Sequence, residues 1–119
     1  MRTDVSISVR NINDNVNAVD IGGELTSFAE DELTSAINQA NAVGVSCILL
    51  NFRDLTYMNS SGIGLLVTTL IRLGRQDKSL VGVELSDHFR QVFELTKLNE
   101  AIHIYDTEDE ALQTEGLLG

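Results

Sequence analysis

Hydrophobic and polar residues alternate near the start of the chain, and this pattern predicts a β-hairpin. Val5, Ile7 and Val9 alternate with polar residues, which is the period of a strand with one face toward water. A stretch rich in Asn and Asp at 11–15 favours a turn, and a second extended run covers 16–21. Because this connection is too short for a parallel crossover, the two strands should pair antiparallel.

Strand and helix patterns then alternate along the rest of the chain. Apolar residues at helical spacing predict helices, and short apolar runs between them predict buried parallel strands. The predicted elements are a helix over 28–43, a strand over 47–52, a second helix, a strand over 80–85, a helix after Ser86, a strand over 102–105 and a final helix after Thr107. The apolar stripe that predicts the second helix consists of Ile63, Leu66, Val67, Leu70 and Leu73.

Three helix starts carry capping residues, and one segment is predicted as a loop. Ser27 with Glu30, and Thr107 with Glu110, have the spacing of capping boxes, and Ser86 can cap the third helix. Residues 53–59, between the third strand and the second helix, are predicted to lack regular structure.

The order of these elements, β-β-α-β-α-β-α-β-α, defines the α/β fold class. Strands that alternate with helices predict a mostly parallel sheet with right-handed crossovers, opened here by the hairpin. A length of 119 residues suits one domain. We therefore expect a single domain over 1–119, in which 106–119 form a final acidic helix or tail.

Composition and charge exclude several classes of partner. The formal net charge is −10 and the basic residues are scattered, unlike the basic footprint that nucleic acids or anionic membranes require. Cys47 is the only cysteine, and its apolar neighbours indicate a small buried side chain. The chain has no signal-peptide pattern and no apolar run of about 20 residues. We expect a cytoplasmic protein.

A serine pair at the predicted start of the second helix carries the most chemical information. Met58-Asn59-Ser60-Ser61-Gly62-Ile63-Gly64 joins a strand to a helix, and Asn59, Ser60 or Ser61 could each be the N-cap. Each glycine in the first turn costs about 1 kcal/mol relative to alanine. We interpret the two glycines as leaving space for a partner or an enzyme beside the serines.

A phosphate on one of these serines would suit the helix start. The unpaired N–H groups and the partial positive charge there favour an anion. Phosphoserine adds about −1.5 to −2 charge, which would disturb a binding surface while the helix persists. The alternative interpretation is that Ser-Ser-Gly is only a cap and a tight strand-to-helix turn.

The chain resembles the STAS domain family, and within it the anti-sigma factor antagonists. The likeness covers nearly the whole chain, and the serine-glycine segment is its specific part. The matching segments are Gly23-Glu24-Leu25, Ile48-Leu49-Leu50-Asn51-Phe52-Arg53-Asp54-Leu55, Met58-Asn59-Ser60-Ser61-Gly62-Ile63-Gly64 and Phe93-Glu94-Leu95-Thr96-Lys97-Leu98.

The resemblance implies partner switching without catalysis or a cofactor. The unphosphorylated antagonist binds an anti-sigma factor, a GHKL-type serine kinase, and so releases a sigma factor. The kinase phosphorylates Ser61, or Ser60, and binding is lost until a PPM-type phosphatase resets it. Alone, the protein would be a monomer or a weak dimer. The partner-binding residues implied are Thr26, Asn59, Ser60, Ser61, Gly62, Ile63 and Gly64.

Two positions depart from the family pattern. Asn59 stands where the family has an acidic residue before the serine pair, and Thr26 stands where it often has an aspartate. A scaffold with the same fold, which uses the same surface while the serines merely cap the helix, is therefore the alternative function.

Other classes of site find less support. The serine-glycine segment lacks the lysine of a Walker loop and the full G-x-G-x-x-G pattern of a nucleotide site. A serine nucleophile would need His88 or His103 as its base, but both are predicted on the surface, and two isolated histidines do not indicate a metal site. Asp54 follows the third strand as in receiver domains, but the opening hairpin breaks that topology, and we expect a loop carboxylate.

Overall fold

Six strands form one mixed sheet in the computed structural model, which describes residues 4–117. The sheet order is β1-β2-β3-β5-β6, and β4 pairs with the end of β2. The strands are β1 Val5–Asn11, β2 Val16–Leu25, β3 Cys47–Asn51, β4 Leu55–Met58, β5 Ser79–Val83 and β6 His103–Tyr105. The helices are α1 Glu30–Ala40, α2 Ser60–Gly74, α3 Asp87–Leu95 and α4 Glu108–Thr114, with 3₁₀ turns at Ser27–Ala29 and Leu98–Glu100.

The predicted hairpin and the mostly parallel sheet are confirmed. β1 pairs antiparallel with β2, with Ile7 opposite Ile21, and the remaining strand pairs are parallel. β2 continues to Leu25, beyond the predicted end. The glycine at position 23 does not end the strand, because it lets β2 bend at a positive φ of 79° where a Cβ would lie 1.9 Å from the carbonyl oxygen of Asp4.

The prediction of a loop over 53–59 is wrong for its second half. Residues Leu55–Met58 form β4, which pairs parallel with the end of β2 so that Met58 lies opposite Leu25. Only Leu55 of this strand is buried, whereas Thr56 and Tyr57 are exposed. A four-residue strand with one buried apolar residue gives almost no sequence pattern, yet it sets where α2 begins.

Helices cover both faces of the sheet. On one face, α1, α2 and α3 bury Leu33, Leu66 and Phe93 in the larger core cluster. On the other face, α4 packs Ala111 and Leu112 against β3 and β5. β3 is therefore covered on both sides, as its apolar run predicts. Within residues 4–117, no helix has both the length and the apolar character to span a bilayer.

The single cysteine occupies the environment that the sequence predicts. Cys47 is 1% exposed in β3 and packs in the cluster under α4. Burial raises the pKa of its thiol, because the thiolate would lose hydration. The side chain therefore acts as a small hydrophobe.

The first helix begins later and ends earlier than predicted. Thr26, and not Ser27, is the first capping residue, since its hydroxyl accepts a bond of 3.2 Å from the N–H of Phe28. A 3₁₀ turn then leads into α1 at Glu30, and Asn41 leaves the helical conformation. The capping box of Ser27 with Glu30 is thus wrong.

The other two predicted caps are confirmed. Ser86 caps α3, with its hydroxyl accepting from the N–H of Phe89 at 3.3 Å. Thr107 caps α4 by accepting from the N–H of Glu110 at 3.1 Å, and the carboxylate of Glu110 accepts from the N–H of Asp106. The predicted acidic tail therefore contains a capped helix of seven residues, while residues 118–119 lie outside the described part.

The end of α4 is tied to β6 by one carboxylate. Glu115 accepts a hydrogen bond from the hydroxyl of Tyr105 and lies 3.0 Å from Nδ1 of His103. The bond to Glu115 raises the pKa of Tyr105 to about 12. The hydroxyl, followed by the imidazole, lowers the pKa of the Glu115 carboxyl below its ordinary value.

Glu115→Gln should destabilise the protein at neutral pH and lose its effect in acid. A carboxyl whose pKa is lowered by folding stabilises the folded state above its unfolded pKa of about 4.3, and this contribution disappears as the pH falls through the lower folded pKa. Urea midpoints of wild type and variant should therefore differ at pH 7 and converge near pH 3. Glu94→Gln, at an exposed position on α3, is the matched control. An equal difference at both pH values for Glu115→Gln would contradict this assignment.

Candidate functional site

The predicted serine pair lies in the first turn of α2, and Asn59 is its N-cap. The Asn59 side-chain oxygen accepts a 3.0 Å bond from the N–H of Gly62, and its backbone N–H donates to the carbonyl of Leu25 at 3.4 Å. Of the three candidate caps, the structure thus selects Asn59. Ser60 and Ser61 follow it with exposed side chains.

Gly62 holds the start of α2 against the end of β2. A Cβ at this position would lie 2.1 Å from the carbonyl oxygen of Leu25 and 2.9 Å from its carbonyl carbon. The residue is buried, so our interpretation that this glycine leaves space for a partner is wrong. The glycine instead permits a close approach of helix and strand, which a side chain would prevent.

The second glycine does leave open space. Gly64 is exposed, and a Cβ there would have no neighbouring atom within 4 Å. The two glycines of the motif therefore have different roles: Gly62 packs inward, and Gly64 widens the accessible surface beside Ser60 and Ser61.

The two strand ends bring Thr26 and Asn59 to the same edge of the sheet. Each follows one member of the last residue pair between β2 and β4, Leu25 with Met58. Thr26 is half-buried and caps the 3₁₀ turn before α1, as Asn59 caps α2. Both positions at which this chain departs from the family pattern are thus neutral capping residues. Ile63 is half-buried and packs against the larger core cluster.

Apolar side chains extend the exposed surface beyond the serines. Val67 and Ile71, one helical turn apart on α2, are 37% and 51% exposed. Phe28, in the 3₁₀ turn that contacts α2, is 68% exposed, and Tyr57 of β4 is 49% exposed. Val67 belongs to the apolar stripe that predicts the second helix, and its exposure was not expected. Ile71 falls outside that stripe, which was the one signal in the sequence, and no pattern singled out Phe28 or Tyr57.

The electrostatic environment of the helix start favours an anion. The first turn of α2 contains no acidic residue. Within residues 4–117, the backbone N–H groups of Ser60 and Ser61 have no hydrogen-bond acceptor. These open amides and the helix dipole together give a local positive potential.

The described residues do not assemble the rival sites. His88 is exposed in the first turn of α3, and His103 bonds Glu115, so in the described part neither histidine is hydrogen-bonded to a serine. No group of three or more potential metal ligands is close enough to hold an ion in that same part of the chain. Asp54 is an exposed turn residue whose backbone carbonyl accepts from the N–H of Gly23.

An antiparallel hairpin that opens a mostly parallel sheet covered by helices defines an α/β domain, and comparison with known proteins identifies its family. The STAS domain family matches residues 8–111. The chain is similar to the anti-sigma-B factor antagonist of Staphylococcus aureus, with 35% identity over 86 residues, which are 72% of this chain and 80% of that protein. The chain therefore belongs to the STAS domain family and, within it, to the anti-sigma factor antagonists.

Solved structures agree on the fold. The anti-sigma factor antagonist SpoIIAA in its unphosphorylated form superposes with a TM-score of 0.68 at 24% identity, over 95% of this chain and 100% of that one. SpoIIAA of Bacillus in its phosphorylated form gives a TM-score of 0.64 at 24% identity, over 92% and 98%. At this level of identity the likeness shows the fold.

Gly62→Ala and Gly64→Ala should change stability in opposite directions. The first adds a methyl group against the Leu25 backbone and should cost about 1–3 kcal/mol of unfolding free energy. The second adds a methyl group in open space within a helix and should gain roughly 0.5–1 kcal/mol. Chemical denaturation of both variants beside wild type measures the two effects. Similar effects of the two substitutions would show that helix propensity alone, and not the close approach to β2, governs these positions.

Proposed function

We propose that this protein is an anti-sigma factor antagonist of the cytoplasm that is switched by phosphorylation of Ser61, or of Ser60. The unphosphorylated form binds an anti-sigma factor that is a GHKL-type serine kinase, and so releases a sigma factor. Phosphorylation abolishes this binding, and a PPM-type phosphatase restores it. The observation that carries the proposal is the pair of exposed serine hydroxyls in the first turn of α2.

Ser61 is the first choice because of the two glycines that follow it, Gly62 and Gly64. It directly precedes Gly62, the first glycine of the motif. In the anti-sigma factor antagonists that the chain resembles, the phosphorylated serine stands at this same position. The buried Gly62 fixes the backbone of the first turn against Leu25, so the hydroxyl of Ser61 is held at a defined, exposed place. Open Gly64 leaves room for the active site of a kinase one turn further along.

A phosphate at this place should leave the fold intact. The first turn already offers unpaired N–H groups and no competing carboxylate, so a dianion meets favourable charge there. The same dianion would be buried without a partner in a docked complex. Losing about 3–4 kcal/mol of interface energy weakens binding several-hundred-fold.

The docking surface for the anti-sigma factor consists of Thr26, Phe28, Ser60, Ser61, Gly64, Val67 and Ile71. The polar members surround the serine pair, and the apolar side chains supply area whose burial stabilises a complex. Three further residues support this surface from within by fixing the position of α2. Asn59 caps the helix, Gly62 lies against the backbone of Leu25, and Ile63 packs against the larger core cluster.

Asn59 and Thr26 make the surface less negative than the acidic residues of the family pattern would, and they keep its geometry. Asparagine caps a helix about as well as aspartate, and both residues make their capping bonds in this structure. A cognate kinase must then recognise a neutral edge beside the serine pair. This implies that the partner lacks the cation that an acidic edge would need.

Incubation with the cognate kinase and ATP, followed by mass spectrometry, tests the switch. Phosphate should appear at Ser61 or Ser60, and phosphorylated protein should bind the kinase several-hundred-fold more weakly. Ser61→Ala should bind constitutively, whereas Ser61→Asp, with one charge, should lose roughly 10- to 100-fold in affinity. Ser35→Asp, an exposed position on α1, adds the same charge elsewhere and should bind like wild type.

Two results would decide against the switch. Equal kinase affinity of Ser61→Ala and Ser61→Asp would show that charge at this position does not control docking. Kinase binding without phosphate transfer to either serine would favour the alternative, a scaffold that uses the same surface for assembly.

A further inference from the structure

The first strand is an edge of the sheet that is open to another chain. β1 pairs with β2 on one side, and on its other side it meets no strand among the described residues. An edge strand of seven residues presents a row of backbone groups that can extend the sheet. β4 and the start of α2 lie on the opposite side of β2, so this edge is separate from the docking surface.

The hydrogen bonds at both ends of the hairpin show which groups face outward. The carbonyl of Asp4 accepts from the N–H of Glu24, and the N–H of Ile12 donates to the carbonyl of Val16. In an antiparallel pair, residues whose backbone groups bond the neighbouring strand alternate with residues whose groups point away from it. The even-numbered residues of β1 therefore bond β2. The backbone N–H and C=O groups of Val5, Ile7 and Val9 therefore point away from the sheet.

We propose that a second copy of this chain pairs with β1 in antiparallel fashion about a two-fold axis at Ile7. In this register Ile7 lies opposite its own copy, and Val5 lies opposite Val9 of the other chain. All three are residues whose backbone groups point outward, so each pair can exchange two hydrogen bonds. Their side chains stay on the face of the sheet that carries α1, as the alternation of a strand requires.

Charge selects this register over its neighbours. With the axis at Ile7, Asp4 of each chain lies opposite Arg10 of the other, which gives two opposite-charge pairs by symmetry. Shifting the axis to Ser6 or Ser8 also matches the outward backbone groups but places Asp4 and Arg10 opposite serine or beyond the strand. Arg10 already bonds two carboxylates, Asp20 through Nε and Nη2 and Glu108 through Nη2. Its other terminal nitrogen, Nη1, remains for the added carboxylate, and the two carboxylates already present reduce the gain from this pair.

A groove beside the β1 edge favours pairing with a second copy, and the acidic residues at its rim limit the affinity of the dimer. The groove of about 320 Å³ lies between β1 and α1, with Ile7, Val9 and Ala36 among its lining residues. Valine and isoleucine side chains of the second copy would cover these apolar groups. Asp31 and Glu32 also line the groove, and their approach to the second copy opposes association. The pairing is therefore weak and concentration-dependent.

Sedimentation equilibrium of the whole chain in about 0.15 M salt, up to about 1 mM protein, measures the association. Wild type should show a reversible monomer–dimer equilibrium. Asp4→Arg turns two attractive pairs into repulsive ones and should weaken the dimer at least about 5-fold. Asp14→Arg makes the same charge change at an exposed residue between the two hairpin strands and should not weaken it.

Cysteine substitution reads the register directly. Oxidised Ile7→Cys should form a disulfide-linked dimer, because the two Cα atoms of a hydrogen-bonded pair lie about 5.5 Å apart, within disulfide reach. Val9→Cys is the matched control and should not, since its two copies would be four residues apart along the strands, about 13 Å. Wild type, with Cys47 buried, should give no crosslink.

A monomer at about 1 mM, equal weakening by both arginine variants, or crosslinking of Val9→Cys would overturn the proposal. None of these outcomes depends on the kinase.

Discussion

The close approach of Gly62 to the carbonyl of Leu25 is the constraint on which the candidate site depends. It places the start of α2 directly on the end of β2, nearer than any side chain would permit. Asn59 completes the contact by capping the helix and by donating its own N–H to the same carbonyl. Ser60 and Ser61 therefore project from a fixed point of the fold. A change of charge at either serine then alters the binding surface and leaves the fold unchanged.

This geometry separates stability from recognition. The residues that seat α2 lie inward, and those that a partner would contact lie outward, although they alternate along one short segment of sequence. Gly62 and Gly64 illustrate the division, since the first meets backbone atoms and the second meets none. A modification of the outward residues can then alter binding with little effect on the core, which is what a reversible switch needs.

The α/β fold class, the hairpin, the mostly parallel sheet and the buried central strand were all predicted from the sequence. Each of them depends on a hydrophobic pattern longer than a few residues. β4 was missed because Leu55 is its only buried residue. The capping box at Ser27 was wrong because Thr26, one residue earlier, takes the bond. The serine pair was found by its chemistry. The role of Gly62 could not be predicted, because its contact with the Leu25 carbonyl is a tertiary contact that local sequence does not encode. The exposure of Val67 and Ile71 likewise depends on how far α1 and the 3₁₀ turn at Ser27–Ala29, which contact α2, cover that helix.

Amide chemical shifts of the Ser61-phosphorylated protein, compared with those of the unmodified protein, test the central claim most directly. The account predicts changes confined to the first turn of α2 and the adjoining ends of β2 and β4, with core amides such as Leu50 and Phe93 unmoved. Shift changes spread through the sheet and the core would contradict it, because phosphorylation would then act by rearranging the fold.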